Sequence, residues 1–438
     1  MACSHFPQLH GYEHNEVSDS LDRLSELPDS IILLILSLLS STRDAVRTTI
    51  LSNRWKDLWT TVPCLHFEEE NPEFIYGVVA RWRGAKIQRF YLLFLLDDDQ
   101  VPCPTSSDLE SWLHFAVEKQ VEELYAYTHI PYCPPQSLYS CSSITTLHLQ
   151  YCSLEIEGNV QLNQLVTLSV YIPDFSWVEV INKLLSGAPR LENMTLSAIA
   201  SNLNFNIISL SLKTLIIENS EINGVLAISA PNLLTLRIGA CIYNGANLLF
   251  HVPSLTEACF EGWGDDVYDP PLETFYQLLR SICHAKKFTL TLLNIKLLLS
   301  LKKKKDMVVR FPNAEVLKYE SWNYIDLLDL LDLLELFPKL KMLSFHRNRQ
   351  YFKPIAEKTT FPSCSLLHLD RVHMTWPARD PSIIPFIQIL LQNSPSLNKL
   401  VFRLKKYRNN RGVVLMVEEK VRSMPRSSPT AEVTIIDC

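Results

Sequence analysis

The chain has 438 residues, 47% of them hydrophobic and 20% charged, with a formal net charge of −6. Such a length suits two or three ordinary domains, or one elongated repeat array with a small module attached, and the mild negative charge excludes a general binder of nucleic acid or of anionic membrane. Eleven Cys without a CxxC pair fit neither a disulfide framework nor a zinc site, so most of them read as small buried hydrophobes in a reducing compartment, the nucleus and/or the cytoplasm.

The opening segment MACSHFPQLHGYEHNEVSDS is polar and acidic and lacks both the basic start and the apolar centre of a signal peptide, so residues 1–20 are expected to be a disordered tail. Next comes LPDSIILLILSLLS (27–40), in which only Ser37 is polar between Ile31 and Leu39. That run is too short to cross ~30 Å of hydrocarbon. An all-round apolar helix of this length needs a buried setting. Pro28 suits the first helical position and Asp29 the positive end of the helix dipole. A second helix is expected over 42–51 with Thr42 as N-cap, and a third over 52–63 with Ser52 as cap, Trp55 and Trp59 one turn apart, and Pro63 as stop. A module this small, residues 21–65, encloses little core of its own. Its greasy surface must pack either on the remainder of the chain or on another protein.

Residues 27–63, LPDSIILLILSLLSSTRDAVRTTILSNRWKDLWTTVP, resemble the F-box of plant-type F-box proteins. The match runs through Leu-Pro-Asp, Ile-Leu-Ser, Asp-Ala-Val-Arg and Leu-Ser-x-Arg-Trp-x-x-Leu-Trp; it departs at Ser30, commonly acidic, and at Ser40, commonly Pro. The resemblance implies docking to a Skp-type adaptor and through it to a cullin. It makes Leu27, Pro28, Ile31, Ile35, Leu36, Leu39, Val46, Leu51, Trp55 and Trp59 contact or supporting residues, some of them serving the module's own core.

After residue 64 one phrase recurs: apolar, two others, apolar, one other, apolar. It stands in ITTLHLQYCSL (144–154), LVTLSV (165–170), LENMTL (191–196), LKTLII (212–217), LLTLRI (233–238), LTEACF (255–260), AEVLKY (314–319), LKMLSF (340–345) and LNKLVF (397–402). The first six begin 21 to 26 residues apart, inside the range of leucine-rich repeats, and Cys152 and Leu154 fall where that consensus places them. Pro-containing turns such as APRL, APNL and SPSL introduce several strands, and amphipathic segments precede many, among them 176–189, 272–285, 323–338 and 383–395. IQRFYL (87–92) and VEELYA (121–126) are weaker candidates that carry the array back to the first module. The expected fold is an α/β solenoid: an irregular leucine-rich-repeat horseshoe over 66–410, with a parallel sheet inside and helices outside, preceded by the three-helix F-box and followed by a C-terminal segment 411–438. The competing architecture is an ordinary α/β domain. The arrangement resembles plant F-box proteins with leucine-rich repeats, and 361–402 is loosely similar to the FBD-type segment some of them carry.

No GxSxG, HExxH, P-loop or GxGxxG occurs, and no cofactor is implied. The expected function is recruitment: a non-catalytic substrate receptor of an SCF-type ubiquitin ligase. The alternatives are a scaffold or small-molecule sensor that binds the adaptor without directing degradation, and an enzyme with an unrecognised site. Outward-facing strand residues would form the target surface: Thr146, His148 and Gln150; Thr167, Ser169 and Tyr171; Thr235 and Arg237; Lys318 and Glu320; Ser344 and His346; His368 and Asp370; Lys399 and Arg403. Loops after the last strands add Arg347, Arg349, Lys353, Arg371, Arg403 and Lys405, a basic edge suited to an acidic or phosphorylated segment of a target protein, or else solvated loop charge. KKKKD (302–306) is either a solvated turn or a nuclear localisation signal, and Asp97–Asp99 cap a loop rather than bind metal. His114, His284 and His373 show no partner in the sequence.

Overall fold

The computed structural model describes residues 24, 26–95, 103–171, 178–197, 200–201, 205–222, 224–239, 242–243, 247–261, 271–321, 327–347, 366–377, 383–405 and 411–437. The expected tail at 1–20, Asp97–Asp99, Arg349 and Lys353 lie outside them, and of Arg347, Glu320 and Lys405 only the backbone is described.

The N-terminal module is three short helices, α1 (Asp29–Ser37), α2 (Thr42–Arg47) and α3 (Trp55–Leu58), the last two continued by single 3₁₀ turns at Thr48–Ile50 and Trp59–Thr61. Their caps differ from expectation. Pro28, with ψ 145°, is extended and stands before α1 rather than in its first turn. Ser41 caps α2, its hydroxyl accepting from the Asp44 N–H at 3.1 Å. Thr42 is turned inward, where its hydroxyl accepts from the His66 backbone N–H at 2.7 Å and ties the module to the sheet. Arg54 rather than Ser52 stands at the N-cap position of α3. Arg54 reaches back to Asp29 at 2.6 Å, closing the first helix onto the third.

From Cys64 onward the chain lays down a sheet of fifteen parallel strands. Those before residue 200 are β1 (Cys64–Glu68), β2 (Arg89–Phe94), β3 (Glu123–Thr128), β4 (Thr146–Gln150), β5 (Thr167–Tyr171) and β6 (Asn193–Ser197). The middle of the chain adds short strands in threes: β7 (Ala200–Ser201), β8 (Phe205–Ile208), β9 (Thr214–Glu218), β10 (Glu221–Ile222), β11 (Val225–Ser229), β12 (Thr235–Gly239), β13 (Ile242–Tyr243), β14 (Asn247–His251) and β15 (Glu257–Glu261). The rest are β16 (Lys287–Leu290), β17 (Val316–Ser321), β18 (Met342–Arg347), β19 (Arg371–Pro377), β20 (Lys399–Lys405) and β21 (Glu432–Asp437). Only β9, β12 and β15 of the middle group join the main sheet.

One hydrogen-bond motif marks the repeat better than any side chain. A carbonyl in the turn before most strands of the main sheet accepts from two successive N–H groups of the next turn, among them Glu122 from Thr145 and Thr146, Val166 from Glu192 and Asn193, Lys213 from Leu234 and Thr235, Lys341 from Asp370 and Arg371. The same fork at Thr256 (from Lys286 and Lys287) reveals β16, a repeat whose KFTL lacks the consensus leucines. β1, β16 and β21 were not anticipated, so the sheet extends from Cys64 to Asp437 rather than from 66 to 410.

Helices back the sheet at its two ends: α4 (Pro72–Arg81), α5 (Ser106–Glu118) and α6 (Val178–Gly187), then α7 (Leu272–Ile282), α8 (Leu292–Lys303), α9 (Leu327–Leu334), α10 (Ile383–Asn393) and α11 (Arg411–Ser423). Between them the expectation of helices outside needs correction. There β8, β11 and β14 form a three-stranded parallel sheet on the outer side, burying Ile207, Leu226, Ile228 and Leu248 toward the main sheet. Repeats starting at Leu191, Leu212, Leu233 and Leu255 are 21 or 22 residues apart, too short for a helix plus its two connections. An extended return covers the same width in fewer residues. FNII and VLAIS also carry the β-branched side chains that suit a strand.

Inward strand residues form one continuous core with the helices. Toward the C-terminal end it becomes aromatic: Phe311 stacks on Phe337 at 4.6 Å, Tyr319 on Phe345 at 4.9 Å, and Phe345 on Trp376 at 5.5 Å.

Candidate functional site

Two surfaces stand out, the outer face of α1 and the helix-free face of the sheet. On α1, Ile32 and Leu36 lie one turn apart and are buried against the module's interior, along with Ala45, Trp55 and Trp59. The opposite face leaves Ile31 (42% exposed), Leu34 (55%), Ile35 (37%) and Leu38 (77%) in solvent, the i, i+3, i+4, i+7 row of one helix side. Ile50 (87%) and Leu51 (55%) extend the exposed apolar surface from the second helical segment. Of the expected contact or supporting residues, Pro28, Ile31, Ile35 and Leu51 are on the surface. Leu27, Leu39 and Val46 are half-buried against the core, and Leu36, Trp55 and Trp59 are inside it as supports. Leu34, Leu38 and Ile50 were not singled out from the sequence; helical spacing from Ile31 marks the first two.

The module's orientation is fixed by its contacts with the first repeat. The Arg43 guanidinium grips the Glu70 carboxylate, Nε lying 2.8 Å from both oxygens, and stacks on the Phe74 ring at 4.4 Å. Trp82 donates its indole N–H to the Val62 carbonyl at 2.9 Å.

On the open face of the sheet, strict pairing aligns outward residues into rows. One row begins His66, Tyr91, Tyr125, His148, Ser169 and Thr195 and later includes Lys318, Ser344, His373 and Val401. Its first part is an aromatic ladder, with ring centroids 4.3 Å apart for His66–Tyr91, 5.8 Å for Tyr91–Tyr125 and 4.8 Å for Tyr125–His148. Tyr127 adds a hydrogen bond to His148 Nδ1 at 3.2 Å. Burial holds the His66 and His148 imidazoles below their ordinary pKa. The sequence reading singled out only His148 of this group, although the alternation in RFYLLF and ELYAYT points the tyrosines outward.

The far end of the same face is basic. Arg371 of β19 pairs in register with Lys399 of β20, and Thr375 with Arg403, so Arg371 and Arg403 are strand residues on the face rather than loop residues on an edge. Lys318 is two strands away, opposite Ser344, which is opposite His373. His373 sits below its ordinary pKa through burial first, then through the charges of Arg403, Lys399 and Arg371 and the neighbouring His346. His346 is held by hydroxyls at both ring nitrogens, Thr375 at 2.9 Å and Ser344 at 3.3 Å. The expected outward positions His368 and Asp370 are corrected: both precede β19, whose inward residues are Val372, Met374 and Trp376. Asp370 instead braces the turn, accepting from Asn398 Nδ2 at 2.6 Å and Arg371 Nε at 3.0 Å, bonds that lower its pKa.

The other candidate groups have structural roles. Lys302 ties α8 to the end of α9 through the Asp332 carbonyl at 2.9 Å and Glu335 at 2.7 Å. His284 bonds the Val252 carbonyl at 3.0 Å, and His114 lies 3.5 Å from Glu118 on the solvent-facing side of α5. Among the described residues no group of three or more His, Cys, Asp or Glu could hold a metal ion, and no helix is long and apolar enough to cross a membrane.

Comparison with known proteins matches residues 109–255 to the family model for the LRR repeats of FBD-associated F-box protein At5g56370. That protein, from Arabidopsis thaliana, is itself 31% identical over 252 residues, 55% of this chain and 59% of its own length, so the chain spans about three-fifths of it. The Arabidopsis thaliana F-box/FBD/LRR-repeat protein At3g26920 is 26% identical over 434 residues, covering 95% of this chain and 96% of the relative. The F-box/LRR-repeat protein At3g03360 of the same plant is 35% identical over 185 residues, 40% of this chain and 38% of its own length. With a helical module carrying an exposed apolar row, a fifteen-strand repeat sheet and these relatives, the chain is similar to plant F-box proteins with leucine-rich repeats.

Proposed function

We propose that the chain is the substrate-recognition subunit of an SCF-type (Skp–cullin–F-box) E3 ubiquitin ligase, non-catalytic itself, with α1 and the following segment docking a Skp-type adaptor and the open sheet face holding the target protein. The observation that carries this is the exposed row Ile31, Leu34, Ile35 and Leu38 on a helix whose other side is fully used by its own core. Covering each such side chain is worth roughly 1.5–3 kcal/mol before the costs of association are subtracted. A receptor of this kind needs no nucleophile or base. It acts by raising the effective concentration of the target beside a conjugating enzyme brought by the cullin.

Co-purification with a Skp-type adaptor tests the docking half. Leu34→Glu combined with Leu38→Glu should cut adaptor capture at least about 100-fold while leaving the melting temperature unchanged, because both side chains are already in water. A wild-type chain that captures no adaptor ends the proposal. Reconstituted ubiquitin transfer to a captured target then separates a ligase receptor from a scaffold.

A further inference from the structure

We propose that the aromatic ladder at the N-terminal end of the open sheet face is a docking site for a proline-rich segment in the polyproline II conformation. Tyr91, Tyr125 and His148 form the platform, and Glu68 receives a Lys or Arg at one end of the segment. The proposal rests on the receptor reading only where it makes that segment part of the target.

His66, Tyr91, Tyr125 and His148 come from four adjacent strands, β1 to β4, and occupy one register row. Tyr127 joins them, its ring centroid 5.7 Å from Tyr91, 6.3 Å from Tyr125 and 6.1 Å from His148. All five are half-buried, so each ring rests on its neighbours and still leaves part of its surface in water. Beyond His148 the row continues as Ser169 and Thr195, where the platform ends. Burial lowers the pKa of both imidazoles, so at pH 7 the rings are mostly uncharged.

Strands stand about 4.8 Å apart, so every second ring of the row recurs at about 9.6 Å. A polyproline II helix rises about 3.1 Å per residue and repeats every three residues, about 9.3 Å, so a segment crossing the strands keeps one of its edges over the rings. An extended strand laid along the row would return a side chain to the rings every ~6.6 Å and fall out of step. An α-helix has its carbonyls engaged internally, whereas those of polyproline II are free to accept hydrogen bonds. The Tyr91 hydroxyl, which bonds to no described residue, is a donor for one of them.

Charge at the β1 end selects what flanks the prolines. Arg89 and Glu123 neutralise each other at 2.7 Å. The Glu68 side chain is 59% exposed, 3.9 Å from the mostly neutral His66 imidazole, and its charge reaches Tyr91. An uncharged platform with one unmatched carboxylate at its end complements an apolar segment led by a single cation.

The test is fluorescence anisotropy of the full chain with a labelled peptide of one arginine followed by nine prolines, beside a glycine-serine peptide of equal length and charge. The proline peptide should bind at least about ten-fold tighter. Tyr91→Leu with Tyr125→Leu, which keeps apolar bulk but removes the rings, should abolish the difference at an unchanged melting temperature. Glu68→Lys, at an exposed carboxylate, tests the site without disturbing the rings: it should weaken the arginine-led peptide about three-fold and favour a glutamate-led one. Equal binding of the proline and glycine-serine peptides, or binding indifferent to both sets of substitutions, overturns the proposal. So does a chain that ignores the peptides and binds maltohexaose, which would make the platform a sugar site. These failures leave adaptor capture, and with it the receptor reading, untouched. Proline-specific binding by a chain that captures no adaptor would uphold the site and end the receptor reading.

Discussion

Leu36 and Leu38 are two residues apart on one apolar run, yet Leu36 is inside the module and Leu38 is 77% exposed. A helix turns 200° over two residues, so a uniformly greasy segment still divides into a side that its own fold uses and a side that it does not. Composition cannot tell the two apart; contact with Trp55, Trp59 and Ala45 does. Protonation is likewise a matter of individual surroundings. His66, His148 and His373 are all held below their ordinary pKa of 6.5, chiefly by burial. Between the lowered folded value and the unfolded one the unfolded chain binds more protons, so their contribution to stability is complete above the unfolded pKa and is lost as pH falls through the folded values. Asp44 and Asp370, lowered from 3.8, lose theirs only at far more acidic pH. The melting temperature should therefore drop between about pH 7.5 and about pH 5.5, in the histidine window. Scanning calorimetry of His66→Gln with His148→Gln should show a flatter profile over that interval; an unchanged profile would refute the assignment.

At the level of the repeat unit, the outer return follows the space available. Where repeats are long, amphipathic helices such as α7 and α10 back the sheet; where they shrink to 21 or 22 residues, β8, β11 and β14 take over. Helices α6, α7, α9 and α10 were legible from periodicity, as were most strands of the main sheet, whereas α4, α5, α8 and α11 were not singled out. The outer strands were not, since a four- or five-residue apolar stretch reads equally as strand or as linker until its neighbours stack on it. β16 was hidden for another reason: its membership rests on backbone hydrogen bonds that no side-chain pattern records. Close packing at one junction gives a sharp test. A Cβ on Gly187, the last residue of α6, would lie 2.4 Å from both Cβ and the carbonyl oxygen of Val160, in the loop that the Gly187 carbonyl itself holds through Leu162 N–H at 2.9 Å. Gly187→Ala should destabilise the chain by about 1–3 kcal/mol, measured by chemical denaturation, because the loop must move to admit it.

A repeat sheet has two open ends, and each is closed by a different device. At the N-terminal end the F-box helices cover the approach to β1, through the Thr42 hydroxyl on the His66 N–H and the Arg43–Glu70 pair. At the C-terminal end the last strand, β21, packs against α11 and carries acidic residues at both ends, Glu432 and Asp437. The N-terminal helical module is thus a cap on the sheet, besides the docking role proposed for it. Removing residues 1–62 should leave the outer edge of β1 uncovered, so the remaining chain should aggregate or be rapidly proteolysed; a monomeric, protease-resistant product on size exclusion would contradict the capping role.

The amino-acid order alone settled the class of fold and the presence of an apolar helical module, because a recurring six-residue phrase and an all-apolar helix are local patterns that need no partner to be recognised. Which leucines of α1 remain in water, and how Lys318, Arg371, Lys399 and Arg403 gather into one patch, depended on folding. Those residues are spread over more than 80 positions of sequence, and only the register of parallel strands, built from backbone hydrogen bonds common to every residue type, brings them side by side.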